Sequence, residues 1–214
     1  MISRITRTSL VWLVLFLSSF NVFAEYAEGF EYQRVTPAQP VTTKNKIEVL
    51  ELFWYGCPHC YRLEPYLHTW LKTKPANVEY VRLPAVLRDD WGIHAHAFYT
   101  AEALGITEKI HTALFEAIHK DRKRIASKED IRTLFISHGI AAEEFDNAWS
   151  SFSVKIKLNK AKLRGNRYGA NGVPTLIVNG KYRVTGTTAG GTENIMKVVD
   201  FLVKKESKAN MASK

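Results

Sequence analysis

Residues 47–60 read IEVLELFWYGCPHC, and this stretch decides the fold. Its first nine positions are almost continuously apolar, which is typical of a strand covered on both faces. Gly56 breaks the run, and Pro58 suits the first turn of a helix because its missing N–H costs nothing there. The chain's two cysteines, Cys57 and Cys60, are therefore predicted to lie where a buried strand turns into a helix.

The segments on either side predict an α/β sheet interrupted by helices. Strand patterns occur at residues 30–35, 77–83, 175–178 and 181–184, with a tight turn at Asn179-Gly180 between the last two. Helical patterns fill residues 91–169 and return at 195–203, after which a polar tail is predicted to fray. This order excludes a pure sandwich or a pure helical bundle.

The composition is that of an ordinary globular chain. The 214 residues are 46% hydrophobic and 24% charged, which excludes collagen, low-complexity disorder and a polytopic membrane protein. Two cysteines are too few for a disulfide-dense scaffold or a four-cysteine zinc site. The net charge is +9, or +7 without Arg4 and Arg7 of residues 1–24, which favours acidic surfaces as partners but identifies none. The basic run from Lys155 to Arg167 is interpreted as a solvated helix face.

Residues 1–24 have the pattern of a secretory signal peptide. Two arginines precede an unbroken apolar run from Leu10 to Leu17, and compact residues follow at the positions that a signal peptidase reads. A retained anchor is the weaker interpretation, because the run is shorter than the roughly 20 residues of a membrane-spanning helix. We predict cleavage after Ala24 and a soluble, exported mature protein.

The placement of the cysteines favours redox chemistry. At a helix N-terminus, free N–H groups and the helix dipole would stabilise a thiolate at Cys57. Cys60, one turn further on, is expected to lie deeper and to attack a mixed disulfide formed at Cys57. A cationic imidazole at His59 would lower the thiolate pKa further. A pKa three or four units below the usual ~8.5 makes the disulfide roughly 100 mV more oxidising, so the site would donate its disulfide.

Other roles for the cysteine pair remain open. A structural disulfide is weakly motivated, because the shortest loops give the least stabilisation. Metal binding is the main competitor, since two thiolates and His59 are soft ligands and His94 and His96 could be added. A closed zinc site normally needs four ligands, however. A c-type haem site is disfavoured because tyrosine follows the second cysteine where that motif has histidine.

Two further positions are candidates for the site. Glu51 is the odd residue of the apolar strand, and alternation places it on one face with Phe53, Tyr55 and Cys57. It is either a buried carboxylate with a raised pKa that transfers protons, or a side chain that reaches solvent. The Val173-Pro174 pair precedes the later strand, and the sequence leaves open whether its peptide bond is cis.

The order of these motifs resembles that of a known family. Cys57-Pro58-His59-Cys60 follows a buried strand, and a helical block then leads to Gly172-Val173-Pro174 before a strand and a hairpin. This arrangement is similar to the DsbA family of periplasmic thiol:disulfide interchange proteins. The Pro-His dipeptide is the family's usual one, where thioredoxins typically carry Gly-Pro. The resemblance extends from about Tyr26 to Val203.

The resemblance implies a thioredoxin fold with an inserted all-helical domain. Residues 25–88 and 167–214 would form the thioredoxin-like domain, and residues 89–166 the insertion. Cys57 would be the exposed nucleophile and Cys60 the resolving thiol, with Pro58 and His59 tuning the thiolate.

The family pattern also implies roles outside the cysteine motif. Glu51 would be the buried acid, with Arg82 as the candidate for the basic residue often found beside it. Val173 and Pro174 would form a cis-proline loop that faces the cysteines and pairs with substrate backbone.

The implied function is a dithiol oxidase in the periplasm. Its partners would be newly exported, reduced polypeptides and a DsbB-like membrane oxidase that uses quinone, with no nucleic acid. No cofactor is implied beyond the Cys57–Cys60 disulfide, and we expect a monomer.

Three other functions compete with the oxidase. A reductase or isomerase would share its fold, but the dimeric isomerase type needs an N-terminal dimerisation domain, and only about twenty residues separate Ala24 from the first core strand. A periplasmic metal carrier that uses the cysteine pair is the alternative of a different class. A peptide-binding chaperone with an inactive pair is a third possibility, which no sequence feature supports.

Overall fold

The computed structural model describes residues 26–212, and the predicted signal peptide, residues 1–24, lies outside them. The helices are α1 (Pro58–Thr73), α2 (Gly92–Ala103), α3 (Thr107–Phe115), α4 (Lys128–Ser137), α5 (Ala142–Ser150), α6 (Phe152–Arg167) and α7 (Ile195–Ala212). The strands are β1 (Gln33–Arg34), β2 (Ile47–Phe53), β3 (Val78–Pro84), β4 (Thr175–Val178) and β5 (Tyr182–Thr185). None of the helices within residues 26–212 is long and apolar enough to cross a membrane.

The five strands form one mixed sheet in the order β1-β5-β4-β2-β3. β2 and β3 run parallel, whereas the other neighbouring pairs are antiparallel. β2 is buried along its whole length, as the apolar run predicts. Asn179 and Gly180 both have positive φ and form the tight turn between β4 and β5.

Alternate residues of β2 serve two different cores. Ile47 and Val49 pack with residues of α1 and α7. Leu50 and Leu52 belong to the core that the helical block α2 to α6 builds on the other side. That block enters the chain between β3 and β4, so the predicted α/β sheet interrupted by helices is confirmed.

Local sequence signals mark both ends of helix α4. Ser127 is the N-cap, and its side chain and that of Asp130 exchange hydrogen bonds with each other's backbone N–H groups. Gly139 follows the helix with a φ of +87°. The sequence did not predict the π-helical turn that continues α3 over residues Glu116–Lys120.

Two predicted boundaries were wrong. The first strand covers only Gln33–Arg34, rather than residues 30–35. The tail predicted to fray is instead helical as far as Ala212. The reason is Glu206, which is buried and accepts hydrogen bonds from Asn179 Nδ2 at 2.5 Å and Lys181 Nζ at 2.7 Å. These contacts fasten the last helix to the hairpin turn.

Candidate active site

Cys57 is the N-cap of α1, and its backbone is extended, with φ −89° and ψ 116°. Its sulfur accepts a hydrogen bond from the N–H of Cys60 at 3.4 Å, one of the groups that a helix start leaves unpaired. Gly56 is required before it, because a Cβ there would lie 2.3 Å from Cζ2 of Trp54. The strand, the glycine and the helix therefore place the cysteine pair as the sequence predicts.

The two cysteines have opposite pKa shifts. The pKa of Cys57 falls from 9.0 to about 6. The largest cause is a hydrogen bond from the Cys60 thiol, and the N–H groups of Cys60 and His59 and the charge of Arg62 act in the same direction against burial. Burial raises the pKa of Cys60 well above its ordinary value. At neutral pH the reduced pair therefore holds one thiolate and one thiol.

The side-chain charge that lowers the pKa of Cys57 is that of Arg62. Nη2 of Arg62 lies 2.8 Å from Nδ1 of His59. A guanidinium can only donate, so Nδ1 of His59 accepts this hydrogen bond. His59 acts on Cys57 through its backbone N–H. The signal that could have identified Arg62 is its position three residues after His59 on the same helix.

The structure brings the cysteine motif and the Val173-Pro174 loop together. The Val173–Pro174 peptide bond is cis. The sulfur of Cys57 lies 3.3 Å from the carbonyl oxygen of Val173, across 116 positions of sequence, and donates a hydrogen bond to it when Cys57 is protonated. A polypeptide whose cysteine bonds to Cys57 would therefore lie against the backbone of this loop.

Glu51 is fully buried, so its side chain does not reach solvent. Oε2 accepts from the hydroxyl of Tyr80 and lies 4.0 Å from Nε of Arg82, while Oε1 has no hydrogen-bond partner among the described residues. Burial first, and the nearby Glu64 second, raise the pKa of Glu51 to about 8 against the opposing effects of Arg82 and Tyr80. The charge of Glu51 also raises the pKa of Cys60, so a proton on either group favours ionisation of the other.

Arg82 links the buried acid to the surface. It stands opposite Glu51 in the parallel register of β2 and β3. Its Nη2 lies 3.5 Å from Glu64 and its Nη1 lies 2.6 Å from Glu108. Glu64, on α1 and four residues after Cys60, is 20% exposed, and burial raises its pKa. The sequence pattern did not single out Glu64, although the four-residue spacing places it on the same side of the helix as Cys60.

Residues of the helical block contact the chain on both sides of the cysteine motif. Before the motif, Tyr55 lies with its hydroxyl 3.1 Å from Nδ1 of His111, and its carbonyl accepts from Nε2 of His119 at 2.7 Å. After the motif, Tyr61 stacks on His119 with ring centroids 5.0 Å apart. Phe115 packs against both tyrosines. We call His111, Phe115 and His119 the clamp; it reaches from α3 into the π-helical turn.

The other two histidines of the sequence analysis bind backbone carbonyls. Nε2 of His94 lies 2.8 Å from the carbonyl of Ile125, and Nε2 of His96 lies 2.8 Å from that of Trp149. No group of three or more His, Cys, Asp or Glu residues within residues 26–212 is arranged to hold a metal ion.

An open groove of about 1260 Å³ runs beside Cys57. His59, Tyr61 and Arg62 line one wall, and Val173 and Pro174 form part of the other. Both aromatic rings and polar side chains therefore line the groove.

A dithiol at a helix N-terminus, facing a cis-proline loop and backed by a buried acid on a mixed sheet, defines a thiol:disulfide oxidoreductase of the thioredoxin fold. A family model described as a DSBA-like thioredoxin domain matches residues 82–200. The chain belongs to the DsbA family. The resemblance noted in the sequence, and the thioredoxin-like fold and thiol:disulfide chemistry it implies, are thereby confirmed.

Individual relatives agree with this assignment over most of the chain. The thiol:disulfide interchange protein DsbA of Azotobacter vinelandii is 44% identical over 186 residues, which cover 87% of this chain and 87% of that protein. The protein of the same name from Pseudomonas aeruginosa is 43% identical over 185 residues, covering 86% and 88%. A crystal structure of P. aeruginosa DsbA matches with a TM-score of 0.83 at 42% identity, covering 90% of this chain and 99% of that one.

Proposed function

We propose that this protein is a periplasmic dithiol oxidase that donates a Cys57–Cys60 disulfide to newly exported, reduced polypeptides. The observation that carries the proposal is the asymmetry of the pair, in which the pKa of Cys57 is about 6 and that of Cys60 is raised. A stabilised Cys57 thiolate favours the reduced protein, so the disulfide becomes an oxidant. A low thiol pKa also makes Cys57 a good leaving group.

The reaction proceeds by two exchanges. A substrate thiolate attacks the sulfur of Cys57, the Cys57–Cys60 bond breaks, and Cys60 leaves and takes up a proton. A second thiolate of the substrate attacks the substrate sulfur of the mixed disulfide, and Cys57 leaves as a thiolate. The substrate is oxidised to a disulfide and the protein is reduced to a dithiol, so the atoms and the two electrons balance without another oxidant.

Groups around the sulfurs support these steps. Glu51, with a pKa of about 8, holds a proton at neutral pH and gives it to Cys60 as that sulfur leaves. Val173 and Pro174 pair with the substrate backbone beside Cys57. Pro58 fixes the first helical turn and His59 offers its N–H to the thiolate, with Arg62 adding a positive charge.

The wider setting follows from the same proposal. The signal peptide directs export to the periplasm, and a DsbB-like membrane oxidase that uses quinone restores the disulfide. No external cofactor takes part, and the protein acts as a monomer. We retain residues 25–88 and 167–214 as the thioredoxin-like domain and residues 89–166 as the helical insertion domain.

The redox equilibrium of the pair against glutathione, followed by tryptophan fluorescence, tests the direction of the reaction. We expect a potential about 100 mV or more above the roughly −270 mV of thioredoxin. A potential near or below that of thioredoxin would make the protein a reductase and contradict the thiolate argument.

Matched cysteine variants test the assigned roles. Cys57→Ala should abolish disulfide formation in a reduced substrate, because Cys60 alone cannot hold the disulfide that the protein donates. Cys60→Ala keeps a reactive Cys57 and should accumulate mixed disulfides when given an oxidised substrate. Retained oxidase activity in Cys57→Ala would eliminate the proposed mechanism.

A further inference from the structure

Helix α6 has an unusual distribution of charge. No acidic residue occurs between Asp146 and Glu193. The helix contains six basic residues: Lys155, Lys157, Lys160, Lys162, Arg164 and Arg167. Its buried positions are Val154, Ala161 and Gly165, which fix one side of the helix against the body of the protein. The opposite side is therefore a basic surface.

Two large apolar side chains stand on this exposed side. Phe152 is 77% exposed and Leu163 is 62% exposed. They are eleven positions apart in the helix. At about 100° per residue this is three full turns plus about 20°, so the two side chains point in nearly the same direction. Half-buried Ile156 lies between them on the same side. A single exposed apolar residue needs no explanation, but an aligned set on one helix forms an apolar ridge.

Cations flank the ridge on both sides. Lys155 lies about 60° to one side of Phe152 around the helix axis, whereas Lys160 and Arg167 lie about 60–80° to the other. The remaining three basic residues of the helix have acidic partners from outside it. These pairs are Lys157 with Glu102 at 2.9 Å, Lys162 with Asp89 at 3.4 Å, and Arg164 with Glu48 at 2.5 Å.

We propose that this side of α6 is a docking surface for a membrane that carries anionic phospholipid headgroups. We call it the α6 face; it consists of Phe152, Lys155, Ile156, Lys160, Leu163 and Arg167. Apolar side chains along the centre of an exposed helix with cations on both edges suit the headgroup region. There the ridge enters the acyl boundary and the cationic heads reach the phosphates.

Charge and shape favour this occupant over others. A second copy of the chain would place the same basic face against itself in a two-fold dimer, so like charges would oppose one another. An acidic polypeptide would match the cations but would leave the exposed apolar ridge without a function. The interpretation of this helix as a merely solvated face accounts for the lysines and not for Phe152 and Leu163.

Vesicle co-sedimentation tests the proposal. The protein is purified after export, with its N-terminus verified by mass spectrometry, so that an apolar signal peptide does not contribute. We expect binding to vesicles of 70% phosphatidylcholine and 30% phosphatidylglycerol at 50 mM salt, and at least tenfold weaker binding to pure phosphatidylcholine. Raising the salt to 300 mM should weaken the anionic binding.

Variants separate the α6 face from general positive charge. Each cation near an anionic surface is worth about fivefold in affinity, so Lys155→Gln with Lys160→Gln should weaken binding about 25-fold. The matched control, Lys44→Gln with Lys72→Gln, removes the same charge from exposed lysines elsewhere and should change binding less than threefold. Phe152→Ser with Leu163→Gln should weaken binding at both salt concentrations.

Three outcomes would overturn the proposal. They are absent binding to the anionic vesicles, an equal loss of binding in the control pair, and a dimer in solution that the α6 substitutions dissociate, which would assign the face to a second copy. All variants should keep the oxidase activity on a soluble substrate, so this test fails or succeeds independently of the proposed function. Circular dichroism verifies that each variant is folded.

Discussion

Glu48 and Glu51 lie three residues apart on β2, and both are buried, but their surroundings differ. Glu48 lies on the side of α6, where it accepts hydrogen bonds from Arg164 at 2.5 Å and from the N–H of Thr42 at 2.8 Å. Glu51 lies on the side of α1, where one of its oxygens has no partner among the described residues and its guanidinium neighbour, Arg82, is 4.0 Å away.

The comparison shows that burial alone does not mark a functional carboxylate. Glu48 has a close cation and a full set of donors, which is the arrangement that buried polar groups need in order to be structural. Glu51 lacks both, and its raised pKa near 8 is the consequence. A buried acid that has an unpaired oxygen and acts on a thiol pair is therefore a candidate for a role in the thiol chemistry.

The largest effect is expected at the structural carboxylate. Glu48→Ala leaves the guanidinium of Arg164, only 22% exposed, without its buried partner. We expect the free energy of unfolding to fall by about 3–5 kcal/mol, measured by urea denaturation. The redox equilibrium with glutathione should stay unchanged, because Glu48 lies near the start of β2, whereas the cysteines follow the end of that strand. A shifted redox potential in Glu48→Ala would contradict the assignment of Glu48 as a purely structural carboxylate.

Glu51→Gln should change the pH dependence of stability instead. The folded pKa of about 8 lies above the ordinary 4.5, so the folded protein binds the extra proton between these values. Its stability is complete below about pH 4.5 and falls as the pH rises through 8. Glutamine cannot ionise, so the variant should lack this fall and gain roughly 3 kcal/mol over the wild type at pH 7.

This measurement uses the oxidised protein, in which the cysteines do not titrate. Urea unfolding at pH 5 and pH 8 gives the change in the free energy of unfolding with pH for the variant and for the wild type. An equal change in the two proteins would show that Glu51 does not titrate as described. The variant should also slow the step in which Cys60 leaves, because no carboxyl proton is available to it.

The smallest effect is expected at Arg82, the arginine that neighbours Glu51. Arg82 lowers the pKa of both Glu51 and Glu64, so Arg82→Gln should move both pKa values further upward, by up to about one unit for Glu51. Carbon-13 NMR of the glutamate carboxyls measures the shift. Arg164→Gln is the matched control and should lower stability while leaving the titration of Glu51 in place; an equal shift in both variants would contradict a local effect.

The sequence predicts those parts of the site that depend on residues close together in the chain. The turn from β2 into α1 depends on a glycine, a proline and a short apolar run, all readable in order. Glu51 was recognisable as an odd residue in that run, but Glu48 was not, because its partner Arg164 lies 116 positions away. The alternation argument also fails to reach Cys57, since β2 ends at Phe53.

Long-range contacts explain what the sequence did not predict. The sequence offers both His59 and Arg62 as cations near Cys57. The structure shows that the charge of Arg62 lowers the pKa of Cys57, whereas His59 contributes its backbone N–H. The length of α7 depended on Glu206 meeting the hairpin turn, which periodicity in a polar tail does not indicate. The clamp joins segments more than fifty positions apart, across the helical insertion.

The clamp limits the stretch of chain that is free to adjust around the sulfurs. Tyr55 is held on one side of the motif and Tyr61 on the other, so only residues 56–60 lie between the two contacts. We therefore expect the sulfurs to change their separation by adjustments within this short segment, while the helical block keeps its position from one exchange to the next.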